Sequence, residues 1–419
     1  MRDPIYRHRP VEPNPARFGG ERINDFIILS EAFSNAYLIE TPEGNIQINS
    51  GMGMEAPVID ANFRAFNIGI THSLILTQGH VDHVGGVAFF REKSPGLRLI
   101  AGANNPEHQA YDARIAPFRG SRSAFAFADK FADVFAYYQA EGHTDYPPQD
   151  TPVPDLLVED KYAFELGGLA VEVIALPGAE TNDSVIVWLP QHRICFTGNL
   201  FGCPFGHIPN LVTIRGDRYR DALVVANAVD VVRQLEPEMI CYGHHDPVVG
   251  SEIIREELTV LHDAIFCIHD ETVKGMNEGK DVHTLMAEIT LPPELEVGEG
   301  YGKVPWNVRA IWENYAGWFH HQSTTELYAI PRSAVAGDLL ELAGGAEALV
   351  RRATEKFEHG EREAALHLLD IVWDAGADTD ESRSLGIRIH ESLLADSTNF
   401  WLTAWLKNRI TFLRENCDQ

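Results

Sequence analysis

Basic residues are scarce in this chain: 34 Lys and Arg stand against 61 Asp and Glu, a formal net charge of −27 over 419 residues. A groove for nucleic-acid phosphates needs a basic stripe, and no Lys/Arg cluster interrupts the acidity, so nucleic acid is excluded as a partner. Long apolar runs are missing as well; none approaches the roughly 18 residues of a membrane span. Cysteine is sparse. Cys195, Cys203, Cys241, Cys267 and Cys417 are odd in number and scattered. They exclude a disulfide framework and fit reduced thiols in a cytoplasmic protein. The opening "MRDPIYRHRPVEPNPARFGG" is polar and Pro-rich and has no apolar centre of the kind a secretory signal needs.

What is there suits two or three domains, since a chain this long exceeds one compact core. After an N-terminal arm, residues 1–24, short strands are expected at "DFIILS", "NAYLIET" and "NIQINSGMG", followed by the helical stretch "APVIDANFRAFNI" and a buried-type strand "HSLILT". Strands return with "YAFEL", "LAVEVIALPG", "SVIVWLP", "RICFTGN" and, after the helix "YRDALVVANAVDVVRQL", "MICYG". This rhythm predicts an α/β layered domain over 25–270. Residues 105–155 interrupt it with an aromatic-rich, helical insertion that breaks on Pro-Pro and lies over a site. Residues 271–419 read as paired antiparallel helices.

The stretch "TQGHVDHVGG" places His80, Asp82 and His83 directly after a strand. Gly79, Gly85 and Gly86 permit a tight loop that turns all three inward. Imidazole and carboxylate together suit zinc, iron or manganese; the plain alternative is a capped turn with a satisfied Asp. Other strand-end loops offer further ligand types: Glu180 in "LPGAETND", Asn199 in "FTGNLFG", and His244 with His245 in "CYGHHDP". Four such loops along one edge of a β layer form the pattern of an active site. His207, in "FGCPFGHIP", reads as a surface loop residue, and Cys203 as a small apolar filler.

In order, T-x-x-H-x-D-H-x-G-G, P-G-x-E, F-T-G-x and G-H resemble the metallo-β-lactamase fold. "PGAE", "TGNL", "PNLVTIRGDRYRDA", "GHHDP" and "GYGKVPWNVRAIWENYAGWF" resemble the alkylsulfatase group within it, with its helical dimerisation domain. The resemblance implies an αββα sandwich followed by an all-helical dimerisation domain, hence a homodimer. It implies two metal ions, one on Gln78, His80 and Glu180 and the other on Asp82, His83 and His244. Asn199 falls where the family has a bridging Glu. Arg215 matches the Arg that grips sulfate. Asn307 matches the Asn after the family's active-site His, and that His is Trp306 here.

The departures have physical consequences. Gln78 replaces an imidazole by a weaker amide donor, and Asn199 removes the anion that two neighbouring dications would share. Asp82, His83 and His244 remain, three protein ligands with one open position, the composition of a mononuclear catalytic zinc site. The expectation is therefore a hydrolase with one ion, or one ion and a weak second. The metal lowers the pKa of a bound water, Glu180 acts as general base or ligand, and Arg215 holds an anionic group by paired N–H donors. The expected catalytic residues are Asp82, Glu180 and Arg215; Arg215, Trp306 and Asn307 contact substrate. Trp306 favours a flat or apolar substrate part, or else packs between domains, and His245 orients His244. A small anionic ester, a sulfate ester first, is the expected substrate. A lactone, amide or phosphoester, or a non-catalytic dimeric scaffold, are the alternatives.

Overall fold

The computed structural model describes residues 11, 14–66, 68–202 and 205–415. Cys203, Cys417 and most of the first half of the expected N-terminal arm lie outside the described residues. The chain divides into two compact units, one comprising Met1–Ala124 and Ala128–Tyr315, the other Phe125–Phe127 and Ala316–Gln419.

In the first unit, alternation of side chains along the strands creates two sheets. The first runs β1 (Glu21–Arg22), β2 (Ile27–Ser30), β3 (Ala36–Thr41), β4 (Gly44–Ile48), β5 (Thr71–Ile75), β6 (Arg98–Gly102) and β7 (Leu156–Val158), paired in that order. The second holds β8 (Lys161–Leu166), β9 (Leu169–Ala175), β10 (Val185–Leu189), β11 (Ile194–Gly198), β12 (Met239–Tyr242) and β13 (Val248–Val249), again in chain order. Ile27, Leu29, Tyr37, Ile39 and Ile75 of the first sheet share one buried cluster with Val171, Val173, Val185, Val187 and Phe196 of the second. The sheets therefore pack face to face, as period-two patterning requires.

The intervening residues face outward into two helical layers. Ile28, Leu38, Leu74 and Leu99 pack with Ile59 and Phe63 of α1 (Ala56–Arg64) and Val87 and Phe90. Ile186, Trp188, Cys195, Ile240 and Tyr242 pack with residues such as Val229 of α5 (Ala222–Gln234) and Leu261 of α6 (Ser251–Asn277). Here the remaining helices are α2 (Val81–Val84), α3 (Val87–Lys93), α4 (Asn105–Ala140), α7 (Val282–Glu288) and α8 (Val304–Ala316). The result is the expected αββα sandwich. Each buried Val, Leu or Ile contributes about 1.5–3 kcal/mol, so the two-faced burial of these strands fixes their register.

Three expectations change. The boundary expected near 270 falls inside α6, which is continuous from Ser251 to Asn277, and the compact unit extends to Tyr315 because Val304, Val308 and Ile311 belong to the same core as α5 and α6. The insertion is one 36-residue helix, α4, that ends at Ala140, before Pro147 and Pro148, and that tolerates Pro117 in its interior. His207 is buried, not a surface residue. Its Nδ1 accepts from Gly300 N at 2.9 Å, and a Cβ at Gly298 would lie 2.5 Å from its ring.

The second unit contains α9 (Ala336–Leu342), α10 (Ala346–Glu358), α11 (Arg362–Asp374), α12 (Asp380–Ala395) and α13 (Phe400–Glu415). Val350, Ala353, Ala365, Leu369, Leu385 and Ile389 make its own small core. Thr379 starts α12 as a capping box with Ser382, its hydroxyl accepting from Ser382 N at 3.1 Å.

Candidate functional site

Strands β4, β5, β9, β11 and β12 end on a common edge, and the motif residues follow those ends. After β5, Val81–Val84 form a helical turn rather than an open loop, with His80 at its N-cap in extended conformation. The turn presents Asp82 and His83 together. His244 follows β12. Asp82, His83 and His244 each offer a ligand atom, and the three atoms lie within 4.8 Å of one another.

His83 is fully buried. Its Nδ1 lies 3.1 Å from Ser34 Oγ and 3.2 Å from Thr77 Oγ1, which orients the ring and leaves Nε2 toward Asp82 Oδ2 at 3.6 Å. Burial drives the pKa of His83 down to about 4 and that of His244 to about 3, although the Asp82 carboxylate opposes the shift in both. Both imidazoles are thus neutral at pH 7, the form that binds metal. Two neutral imidazoles and a carboxylate, converging from two loops, fit a divalent cation. Asn199 Nδ2 stands 3.2 Å from His83 Nε2, and Asn199 Oδ1 is buried with no hydrogen-bond partner. Gly243 makes room for this amide, because a Cβ there would sit 2.0 Å from Asn199 Oδ1.

The expected ligands of a first metal are arranged differently. Gln78 Nε2 turns to His80 Nδ1 at 2.8 Å. His80 Nε2 faces Asp217 Oδ2 at 3.7 Å, an ion-pair separation rather than a hydrogen bond. Burial disfavours the charged imidazolium of His80, yet Asp217 beside it raises the pKa above the ordinary value. Asp217 in turn takes an ion pair from Arg119 Nη2 at 3.1 Å. Despite burial, His80, Arg220 and Arg119 hold its carboxyl well below the usual carboxylate range. Glu180 Oε1 accepts from Arg220 Nη2 at 3.0 Å while Glu180 Oε2 is buried without a hydrogen-bond partner. Burial raises the Glu180 pKa; Arg220, His80 and Arg215 pull it back. Asp217, Glu180 and Arg215 therefore act on His80 directly, while Arg119 is shared between Asp112 and Asp217 and Arg220 pairs with Glu180.

Arg215 acts electrostatically on both His80 and Glu180, and its Nε is buried without a hydrogen-bond partner. Asn307 is not available to a substrate as expected: it is buried in α8, donates from Nδ2 to Pro209 O at 2.7 Å and accepts on Oδ1 from Leu211 N at 3.0 Å. It pins the loop that leads to Arg215. Trp306, one residue earlier, is half-buried. His245 adopts φ 62°, and its carbonyl accepts from Asn35 Nδ2 at 2.7 Å. Sequence reasoning missed Asp217, Arg220, Arg119 and His108, whose ring lies 5.2 Å from that of His80. The charge-dense run "RGDRYRD" directly after Thr213–Ile214 was the one available signal for the first two.

Residues 29–244 match the metallo-beta-lactamase superfamily, and residues 281–414 match the alkyl sulfatase dimerisation family. The chain belongs to the metallo-β-lactamase superfamily. Its curated relatives are alkylsulfatases. It is 28% identical over 388 residues to a linear primary-alkylsulfatase of a Pseudomonas strain, covering 88% of this chain and 72% of that one. It is 25% identical over 356 residues to an alkyl/aryl-sulfatase of Saccharomyces cerevisiae, covering 80% and 54%. The fold is that of the solved structure of a stereoselective inverting sec-alkylsulfatase from Pseudomonas sp., with TM-score 0.80 at 20% identity over 94% of this chain and 66% of that one.

Proposed function

We propose that this chain is a metal-dependent hydrolase of small anionic esters, sulfate esters first, working through one dication on Asp82, His83 and His244. The convergence of those three side chains, with Arg215 in a neighbouring loop, carries the reading. Zinc suits the donor set best, and iron or manganese share it. A dication bound there supplies Lewis acidity and activates water near neutral pH. Arg215 grips the anionic group through its guanidinium N–H donors, the buried Nε–H among them. Glu180, fixed at Oε1 by Arg220, takes or returns a proton at Oε2. Trp306 offers a flat apolar surface to the organic part of the ester. The helical region places two such chains in a homodimer.

The test pairs metal analysis with turnover of primary and secondary alkyl sulfates and of matched phosphate esters and lactones. The parent should hold about one metal per chain, and His244→Ala should lose most of it together with activity. A metal-free parent that still turns over ester would sink the metal reading. A parent that hydrolyses lactones or phosphoesters and no sulfate ester would move the assignment to those bonds.

A further inference from the structure

The part of α4 before Phe125 makes mainly polar contacts, whereas Phe125 and Phe127 pack on Trp401. The buried residues of α4 cluster at the ends, Asn105, His108 and Gln109 at one and Val134 and Tyr138 at the other. Between them, one side of the helix reaches a single loop. Arg122 Nε donates to Arg215 O at 2.7 Å and its Nη2 to Ile214 O at 2.8 Å. Arg119 pairs with Asp217 at 3.1 Å. Tyr111 lies under the Arg218 guanidinium at 4.3 Å, and Glu107 pairs with Arg218 at 2.7 Å. Glu107, Tyr111, Arg119 and Arg122 fall at helical spacings that keep them on one side. The loop itself has little regular structure: Gly216, at φ 93°, donates to Thr213 O at 2.9 Å, and Arg220 N donates to Leu211 O at 2.8 Å.

We infer that this face of α4 is a clamp that positions Arg215, with Arg122 as its principal positioning residue. The inference rests on Arg215 being the group that grips the anion. Arg122 takes the carbonyls of Ile214 and Arg215 with two donors of one planar fork, which fixes the two peptide planes that flank the Arg215 Cα. Arg119 holds Asp217 two residues later, so the loop is tied on both sides of Arg215. Arg122 lies on the exposed part of the helix, so its replacement leaves the core untouched.

The experiment measures binding of inorganic sulfate by titration calorimetry, with metal content in parallel, for the parent, R215A, R122A, R122K and the R122A/R215A double variant. R122A should weaken sulfate binding about tenfold with metal content unchanged, and R122K should recover part of the loss. The double variant should bind no worse than R215A alone, because Arg122 acts only through Arg215. If R215A is weakened but R122A matches the parent, or if the two losses multiply in the double variant, the clamp is wrong and the anion reading stands. An R215A protein that binds sulfate as the parent does overturns the anion reading and the clamp with it.

Discussion

Gln78 illustrates how one side chain changes a site by what it hydrogen-bonds. Its amide nitrogen sits 2.8 Å from His80 Nδ1, and His80 then directs Nε2 at Asp217. The amide thus occupies Nδ1 while Asp217 faces Nε2, so neither ring nitrogen of His80 stands free for a metal. Gln78→His removes that donor and adds an imidazole. We expect it to raise metal content above the parent's by mass spectrometry, toward two per chain, since imidazole is the better donor. Identical stoichiometry in both proteins would show that Asp217 and the arginines, not Gln78, decide the count. Much of this was legible early. Asp82, His83 and His244 were read from strand-end position and residue type, and they converge. Asp217 was not, because a carboxylate in a run of charges looks like a solvated surface until the fold carries it to His80. His207 misled for the opposite reason: a polar residue among Gly and Pro reads as exposed, whereas its ring fills the space two glycines leave.

At the level of elements, the strands were legible because each buries both faces or alternates between two clusters, and period two survives in the sequence. Helix α4 was legible as a helix but not in its length, since Pro117 removes a hydrogen bond that side-chain contacts elsewhere offset. A second junction has a pH signature. Glu55 at the start of α1 ties three segments, accepting from Ala16 N at 2.8 Å, Phe33 N at 2.9 Å and Met52 N at 2.9 Å. Burial outweighs those bonds and raises its pKa from 4.5 to about 7. The folded state thus holds this proton more tightly than the unfolded chain. The stabilisation is fully present below about pH 4.5 and is lost as pH rises through about 7, a swing on the order of 3 kcal/mol. Urea unfolding of the parent and of Glu55→Gln at about pH 5 and about pH 8 measures it: the parent should lose ground to the variant at the higher pH. A gap that does not move with pH would contradict the raised pKa.

For the whole molecule, the sandwich was the most secure expectation and the division between units the least. A helix such as α6 carries no mark of which core it will join; only Val304, Val308 and Ile311, packed with α5 and α6, extend the first unit past the expected boundary. The arginines near Asp217 and Glu180 also stand in contrast to the charge of the chain. Arg119, Arg215 and Arg220 gather near one another in a protein whose net charge is −27. On the proposed function, an anionic substrate should approach against a repulsive field and meet attraction only within the last several ångström. Salt screens the distant field before the near one, because the Debye length falls from about 30 Å at 0.01 M to about 8 Å at 0.15 M. Turnover of an anionic ester at low substrate should accordingly quicken as sodium chloride rises over that range, the reverse of a pocket that steers its ligand from afar. Stopped-flow or steady-state kcat/KM against ionic strength reads the slope directly; a decline would mean that the guanidinium cluster outweighs the acidic shell even at long range. Arg215→Ala should lower the rate and keep the slope, since one charge barely alters the field of the shell. The acidic surface would then act as a filter on encounter, separate from the chemistry inside.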